Sequence, residues 1–368
     1  MQQLFNLPND AVTELPRLRL GLAGFTEGQC KTIAKTLTKT LPDQPAWQVC
    51  PFQLADAWLL SGENSAPSPQ SNQDMLRIAP GLPGDRALTL NLSEINRPLA
   101  FSLPLVSPDI EAKLTFTPDY EASLLGVLCA FEQWLQPLRA KFLLSSQLMQ
   151  RESQLKRMVY HVSSKGQLLA ILDFAEWRIG LLPEATPEQF EKAMWETRPS
   201  QANAMPLHFV QSSVEQLRWI YAQHTQQDVL PARYKRQPIY FSQTPNVPQT
   251  WLEPSHLLLL RELSVRPATL KELTERTALT ADELARELAC LYFAGSLTTT
   301  ADKAATRAYV DVNARSAKES KARAVESPAA KTPRRQPAAP TIFNSTLPPD
   351  SGGGYDHDLT APAGLQRH

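Results

Sequence analysis

The side chains in this 368-residue chain with most to offer chemically are six histidines, four cysteines, a few serine- and glycine-rich turns and scattered carboxylates. His161, His208, His224, His256, His357 and His368 stand at no metal-ligand spacing from another histidine, a cysteine or a carboxylate. Cys30, Cys50, Cys129 and Cys290 never form a Cys-x-x-Cys pair, which argues against zinc and against a disulfide framework; they are expected to be reduced core residues. Ser163-Ser164-Lys165-Gly166 lacks the flanking glycines of a nucleophile elbow and fits a hairpin turn. Asp173 and Glu176 bracket a turn rather than forming an acid and base pair. Gly21, Gly24 and Gly28 have neither the dinucleotide nor the P-loop spacing, and no Gly-Lys-Ser/Thr follows. The expectation is a protein without enzymatic chemistry, with no catalytic residue, no cofactor and no metal. The residues left to consider are cations that could meet a protein or nucleic-acid partner: Arg286, Lys303 and Arg307.

The elements that would carry those cations lie between Ser255 and Val312. Ser255 offers a cap to a helix bearing Leu257 to Leu260 and Leu263, ended by Pro267. Thr269 stands three residues before Glu272, and Thr280 three before Glu283, the reciprocal arrangement that satisfies two amides at a helix start. Leu284, Leu288, Leu291 and Tyr292 form a 3.6-period face on the last helix, and Gly295 sits where a left-handed stop is wanted. Leu297 to Thr300 and Ala308 to Val312 are β-prone and could form a hairpin.

Helix, helix, turn, helix, glycine and β-wing together resemble a winged helix-turn-helix domain, over under a sixth of the chain. A winged helix that reads DNA presents cations and amides from its third helix. Here Thr280 to Ala294 carries Asp282, Glu283 and Glu287 against Arg286 alone, and from Ser255 to Val312 seven cations face eight anions. Phosphate contacts supply most sequence-independent affinity, so a neutral domain points to protein interaction or domain packing, with DNA binding the alternative. A ligand sensor or enzyme whose site is assembled from distant residues is the second alternative.

The rest of the chain divides by composition into a flexible amino terminus (1–15), a small α/β domain (16–118), connector helices (119–158), an α+β domain with an antiparallel meander (159–250), the winged helix-like domain (251–312) and a disordered tail (313–368). The expected fold class is therefore multidomain α/β and α+β. Strands are expected near 18–24, 47–50, 57–60, 75–78, 88–92 and 99–105, with an exposed loop over 62–74 and a helix opening at Thr26. Connector helices broken at Pro137 extend to Met158 and could form a dimer seam. Three meander strands follow over 159–163, 167–173 and 177–182, then helices opening at Thr186 and Ser213 around a strand at 207–210.

Asp56-Ala57-Trp58-Leu59-Leu60-Ser61 is similar to the third strand of a response-regulator receiver, with Ser61 in place of the phosphate-accepting aspartate. The first strand ends Ala23-Gly24-Phe25, without the acidic pair that would hold magnesium. The resemblance implies a degenerate receiver without aspartyl phosphorylation. Another small α/β sandwich is the first expectation and the degenerate receiver the alternative, because only six residues separate Cys50 from Ala57, too few for the helix a receiver puts there.

Lys plus Arg equals Asp plus Glu, so no global field concentrates nucleic acid or anionic membrane. Met1 to Asp10 shows no basic segment followed by an apolar one, and no run reaches membrane-helix length. A cytoplasmic protein without stable membrane insertion is expected. The tail carries six cations and two anions between Lys318 and Arg335. A protein partner is the first expectation, nucleic acid a possible one, and a homodimer is open.

Overall fold

The computed structural model describes residues 14–305 apart from 40–44, 69–74, 85, 108–109, 200 and 202, together with the segment Leu4–Phe5. The chain is mixed α/β with several sheets. Leu4–Phe5, within the lead-in expected to be flexible, form β1, which pairs antiparallel with a strand 190 residues further on.

The first unit comprises β2 (Arg17–Ala23), α1 (Glu27–Leu37), β3 (Ala46–Cys50), β4 (Ala57–Leu60), β5 (Ser65–Pro67), β6 (Met75–Ile78), β7 (Leu88–Asn91), β8 (Leu99–Ser102), β9 (Thr115–Phe116) and α2 (Glu121–Trp134). Five strands form a parallel sheet in the order β3-β2-β4-β8-β9. This is the second-first-third-fourth-fifth order of one class of doubly wound sheets. Parallel strands bury both faces. Helices α1 and α2 cover one, packing Ile33, Leu124, Leu128 and Phe131 on Leu18, Leu20 and Leu59. The other is covered by a small antiparallel sheet, β5-β6-β7, which sets Leu76 and Ile78 against Leu60 and Phe101. The loop expected over 62–74 thus contains a strand. Strand β5, three residues paired with β6 through Ser65 and Ile78, is too short to stand out from its polar surroundings.

The second unit starts at α3 (Gln136–Gln150), with proline in its first turn. This helix stops at Gln150 rather than Met158, and residues 151–154 form a turn. Strands β10 (Val159–Ser164), β11 (Gln167–Asp173) and β12 (Arg178–Leu181) make the expected meander. Lys165 and Gly166, both at positive φ, form its first turn. After α4 (Pro187–Glu191), β13 (Met194–Arg198) joins the free edge of β10, and β14 (Val210–Ser213) lies beside β12. The strand expected at 207–210 is displaced: residues 207–209 are turn and bend, and pairing begins at Val210. The resulting order is β1-β13-β10-β11-β12-β14. The capping box of Ser213 with Gln216 opens α5 (Val214–His224) directly from the edge strand.

The carboxy-terminal unit contains α6 (Ala232–Arg236), β15 (Tyr240–Phe241), α7 (Pro254–Val265), α8 (Leu270–Thr277), α9 (Ala281–Phe293) and β16 (Leu297–Thr298). Both expected threonine–glutamate capping boxes are formed, and Gly295 is left-handed at φ 77°. Two details differ from expectation. The cap expected at Ser255 falls at Glu253, because Pro254 takes the first helical position, where its missing N–H costs nothing. The strand after α9 pairs antiparallel with β15, which precedes the helices; residues 308–312 lie outside the described residues. Arg307 and the tail from 313 lie outside them too. No helix among the described residues is long and apolar enough to cross a membrane.

Candidate functional site

Arg19, Asp56, His224, Glu253, His256 and Glu287 gather where the three units meet. Alternation along β2 sends Leu18 and Leu20 into the sheet core and turns Arg19 toward the other units. Asp56, one residue ahead of β4, grips Arg19 twice: Oδ2 accepts from the Arg19 backbone N–H at 2.8 Å, and Oδ1 from Nη2 at 3.2 Å. The other arm of the guanidinium, Nη1, reaches Glu253 Oε1 at 2.7 Å. Gln223 Nε2 on α5 donates to the same oxygen at 2.9 Å. One arginine therefore ties the parallel sheet to the start of α7, with α5 between.

The network continues into α9. His256 Nδ1 accepts from the Glu253 backbone N–H at 3.1 Å, completing a capping box with histidine in the place usually held by Glu or Gln. Its Nε2 lies 2.8 Å from Glu287 Oε2, a close contact not aligned as a full hydrogen bond. Ser255 Oγ donates to that Glu287 oxygen at 2.9 Å. On the other flank, His224 Nδ1 donates to the Arg17 carbonyl at 3.0 Å and lies 3.7 Å from Asp56 Oδ2. Glu14 adds a strap, accepting from Tyr221 Oη at 2.9 Å, the Gln226 backbone N–H and Thr225 Oγ1.

Burial and charge act against each other throughout. Burial would raise Asp56, but the Arg19 guanidinium, His224 and the Arg19 backbone N–H hold its carboxyl below the usual range. Burial likewise opposes ionisation of Glu287, and His256, Ser255 and Arg19 overcome it, leaving it depressed. Arg19 is pushed further up despite burial by Asp56 and Glu253. Burial pushes His224 down, and the attraction of Asp56 only partly offsets this. The thiol of Cys50 is pushed up to about 12, chiefly by burial, and that of Cys290 is also raised by burial, so neither is an activated nucleophile.

The downward shifts of His224, Asp56 and Glu287 all make stability fall as the pH is lowered. With its folded value below the ordinary 6.5, His224 contributes stability that is whole above pH 6.5 and falls as the unfolded chain takes up its proton. Asp56 and Glu287, depressed from 3.8 and 4.5, contribute stability lost only at lower pH. The melting temperature is expected to drop between about pH 7 and pH 5. In His224→Gln, differential scanning calorimetry should show a flatter slope in that window, with an acid limb that persists because Arg19, the larger influence on Asp56, is retained.

Ligand atoms of Glu253, His256 and Glu287 lie within 4.8 Å of one another, as a metal site requires. The histidine tautomer opposes that use. A ligating imidazole donates its second ring N–H to an acceptor. Here Nδ1 instead accepts from a backbone N–H, so the neutral ring carries its proton on Nε2, where the ion would have to bind. Arg19 also occupies Glu253. The cluster suits a hydrogen-bonded ionic joint rather than an ion.

The candidate contact cations are not gathered here. Arg286 is half-buried on α9 beside Arg17, whose pKa is lowered by burial and by Arg286. Lys303 is exposed in a short 3-10 turn (Ala301–Lys303), and its carbonyl accepts from Ser242 Oγ at 3.1 Å. At the far end of the parallel sheet, Ser61 is buried with its hydroxyl unpartnered, next to Gly24 and below the inserted β5-β6-β7 sheet. None of the four cysteines is in a disulfide; Cys290 alone is fully buried, Cys30 and Cys50 are partly buried, and Cys129 is exposed on the outer face of α2.

Spacing alone missed the network because its six members come from five places between residues 19 and 287. The available signal was Glu253-Pro254, a capping residue before a helix-opening proline. Comparison with known proteins finds no match: no family model, no curated protein and no solved structure matches the chain.

Proposed function

We propose that this chain is a non-enzymatic regulatory or adaptor protein whose winged helix-like unit serves packing and protein interaction rather than duplex reading. The observation that carries this is the position of α9. In a DNA-reading winged helix the third helix enters the major groove. Here it packs along α5, buries Leu284, Leu288, Leu291 and Phe293, and commits Glu287 to the ionic joint. Its exposed first turn carries Asp282 and Glu283, which would meet phosphates with like charge.

The strand order of the first unit favours a degenerate receiver-like ancestry over another α/β sandwich, and buried Ser61 fits a unit without phosphoryl chemistry. Such a unit would act as a fixed platform for the winged helix-like unit.

Titrating a fluorescent duplex with the full chain at about 50 mM salt tests the reading. No saturable binding below about 10 μM is expected, and Arg286→Ala/Lys303→Ala should leave the curve unchanged. Tight binding with a steep salt slope that collapses in the double variant would replace this reading with a DNA-binding one.

A further inference from the structure

An open groove of about 880 Å³ lies outside the carboxyl ends of β2 and β3, between the exposed flank of α1 and the residues that follow β6. Ligands of open α/β sheets bind at this end of the strands, and the volume is within the range of small-molecule sites. We propose that the groove binds a free fatty acid of medium length, a monocarboxylate on an unbranched alkyl chain.

The chain is argued from the walls. Leu22, Val49, Ile78, Leu82 and Leu88 line the groove from four different segments. Val49 is 39 % exposed there, on a strand whose Trp47 is buried. Phe52 is the one aromatic ring among the lining residues, and one of its faces is already taken by Trp58, with ring centroids 4.5 Å apart. Aliphatic side chains are therefore the main surface on offer, which rewards a flexible chain over a planar ring. The wall beyond β6 is held in place. Gly81 lies so close to the β2–α1 turn that a Cβ on it would fall 2.1 Å from the Phe25 carbonyl oxygen. A wall fixed in the free chain spares a ligand the cost of ordering it.

The carboxylate is argued from charge. Glu27, Lys31 and Arg86 are the ionic side chains on the lining. Glu27 and Lys31 stand one turn apart on α1 and neutralise each other at 2.6 Å. Arg86 is exposed and has no hydrogen bond or ion pair with another described residue. The lining thus carries one uncompensated positive charge. An aliphatic surface with a single free guanidinium suits an amphiphile with one negative end, whose two oxygens match the donor fork of arginine. The groove is lined by the first unit alone, so the inference does not rest on the regulatory reading.

The full chain is titrated with decanoate below its micelle-forming concentration, followed by calorimetry and thermal shift. 1-Decanol serves as the probe lacking the anion, and butyrate as the probe lacking the chain. At saturation decanoate should raise the melting temperature by about 2–5 °C. Octanoate, two methylenes shorter, should bind about five- to fifteenfold more weakly. Arg86→Gln should weaken decanoate about fivefold or more and leave decanol unchanged. Ala34→Glu, at an exposed position of α1, sets a carboxylate into the groove and should weaken both about tenfold. Arg77→Gln removes an exposed cation of β6 away from the groove and should change neither. The proposal is overturned if decanoate does not bind at about 1 mM, or if octanoate, decanol or butyrate binds as tightly. It is also overturned if binding survives both groove variants, or if Arg77→Gln weakens it as much as Arg86→Gln.

Discussion

Arg19→Met is expected to destabilise the chain by about 3–5 kcal/mol, the cost of removing one partner from a buried ionic network. The guanidinium is mostly buried and pairs with both Asp56 and Glu253. Without it two carboxylates remain in a low-dielectric joint, one of them 9 % exposed. Coulombic gain and desolvation nearly cancel in an intact pair, so the loss reflects the stranded charges more than the lost attraction. Adding Asp56→Asn and Glu253→Gln should therefore restore more than half of the loss, although the chain then has fewer ionic contacts. Urea unfolding followed by circular dichroism measures both. A single-variant loss below about 1 kcal/mol would mean that the joint is solvated and exerts little hold between units.

The joint also marks where sequence reasoning stops. The caps at Thr269 and Thr280, the stop at Gly295 and the β10–β12 meander were legible because each is fixed by residues within a few positions of one another. Strand β13 was not: Met-Trp-Glu-Thr-Arg has little apolar alternation, and it becomes a strand because β10 offers an open edge and Trp195 can bury beneath it, its Nε1 donating to Gln147 at 3.0 Å. The same dependence on tertiary context moved β14, a polar Val-Gln-Ser-Ser segment, three residues from its expected place. In the joint the only local pattern is the cap of Glu253 with Pro254 and His256. Arg19 is one of two alternate cations in a strand and Glu253 one cap among several; their meeting is fixed only when α5 and α9 pack. Helix α9, whose acidic first turn was legible in the sequence, packs its leucine face along α5.

Trp219→Ala should show how far that packing depends on one buried side chain. Trp219 on α5 is fully buried in the core shared with Leu259, Leu263 and Leu288 of α7 and α9, and its ring centroid lies 4.6 Å from that of His256. Truncating a buried tryptophan typically costs about 3–5 kcal/mol, through lost transfer energy and the cavity left behind. One term acts the other way. The indole Nε1 is buried without a hydrogen-bond partner, and removing such a donor recovers about 1–3 kcal/mol of desolvation. Trp219→Phe separates the two, since it deletes the donor and keeps most of the apolar surface; it should fall within about 1.5 kcal/mol of the parent. The alanine variant should also loosen the α5–α9 seam. Faster limited proteolysis within residues 225–250 and increased binding of an apolar dye are the expected signs, because the buried face of α9 carries leucines. No duplex binding is expected even then, because the already exposed first turn of α9 carries Asp282 and Glu283 and the helix has a single cation, Arg286. A variant that loosened the seam and gained salt-sensitive duplex binding would show that packing, rather than charge, keeps this unit from DNA.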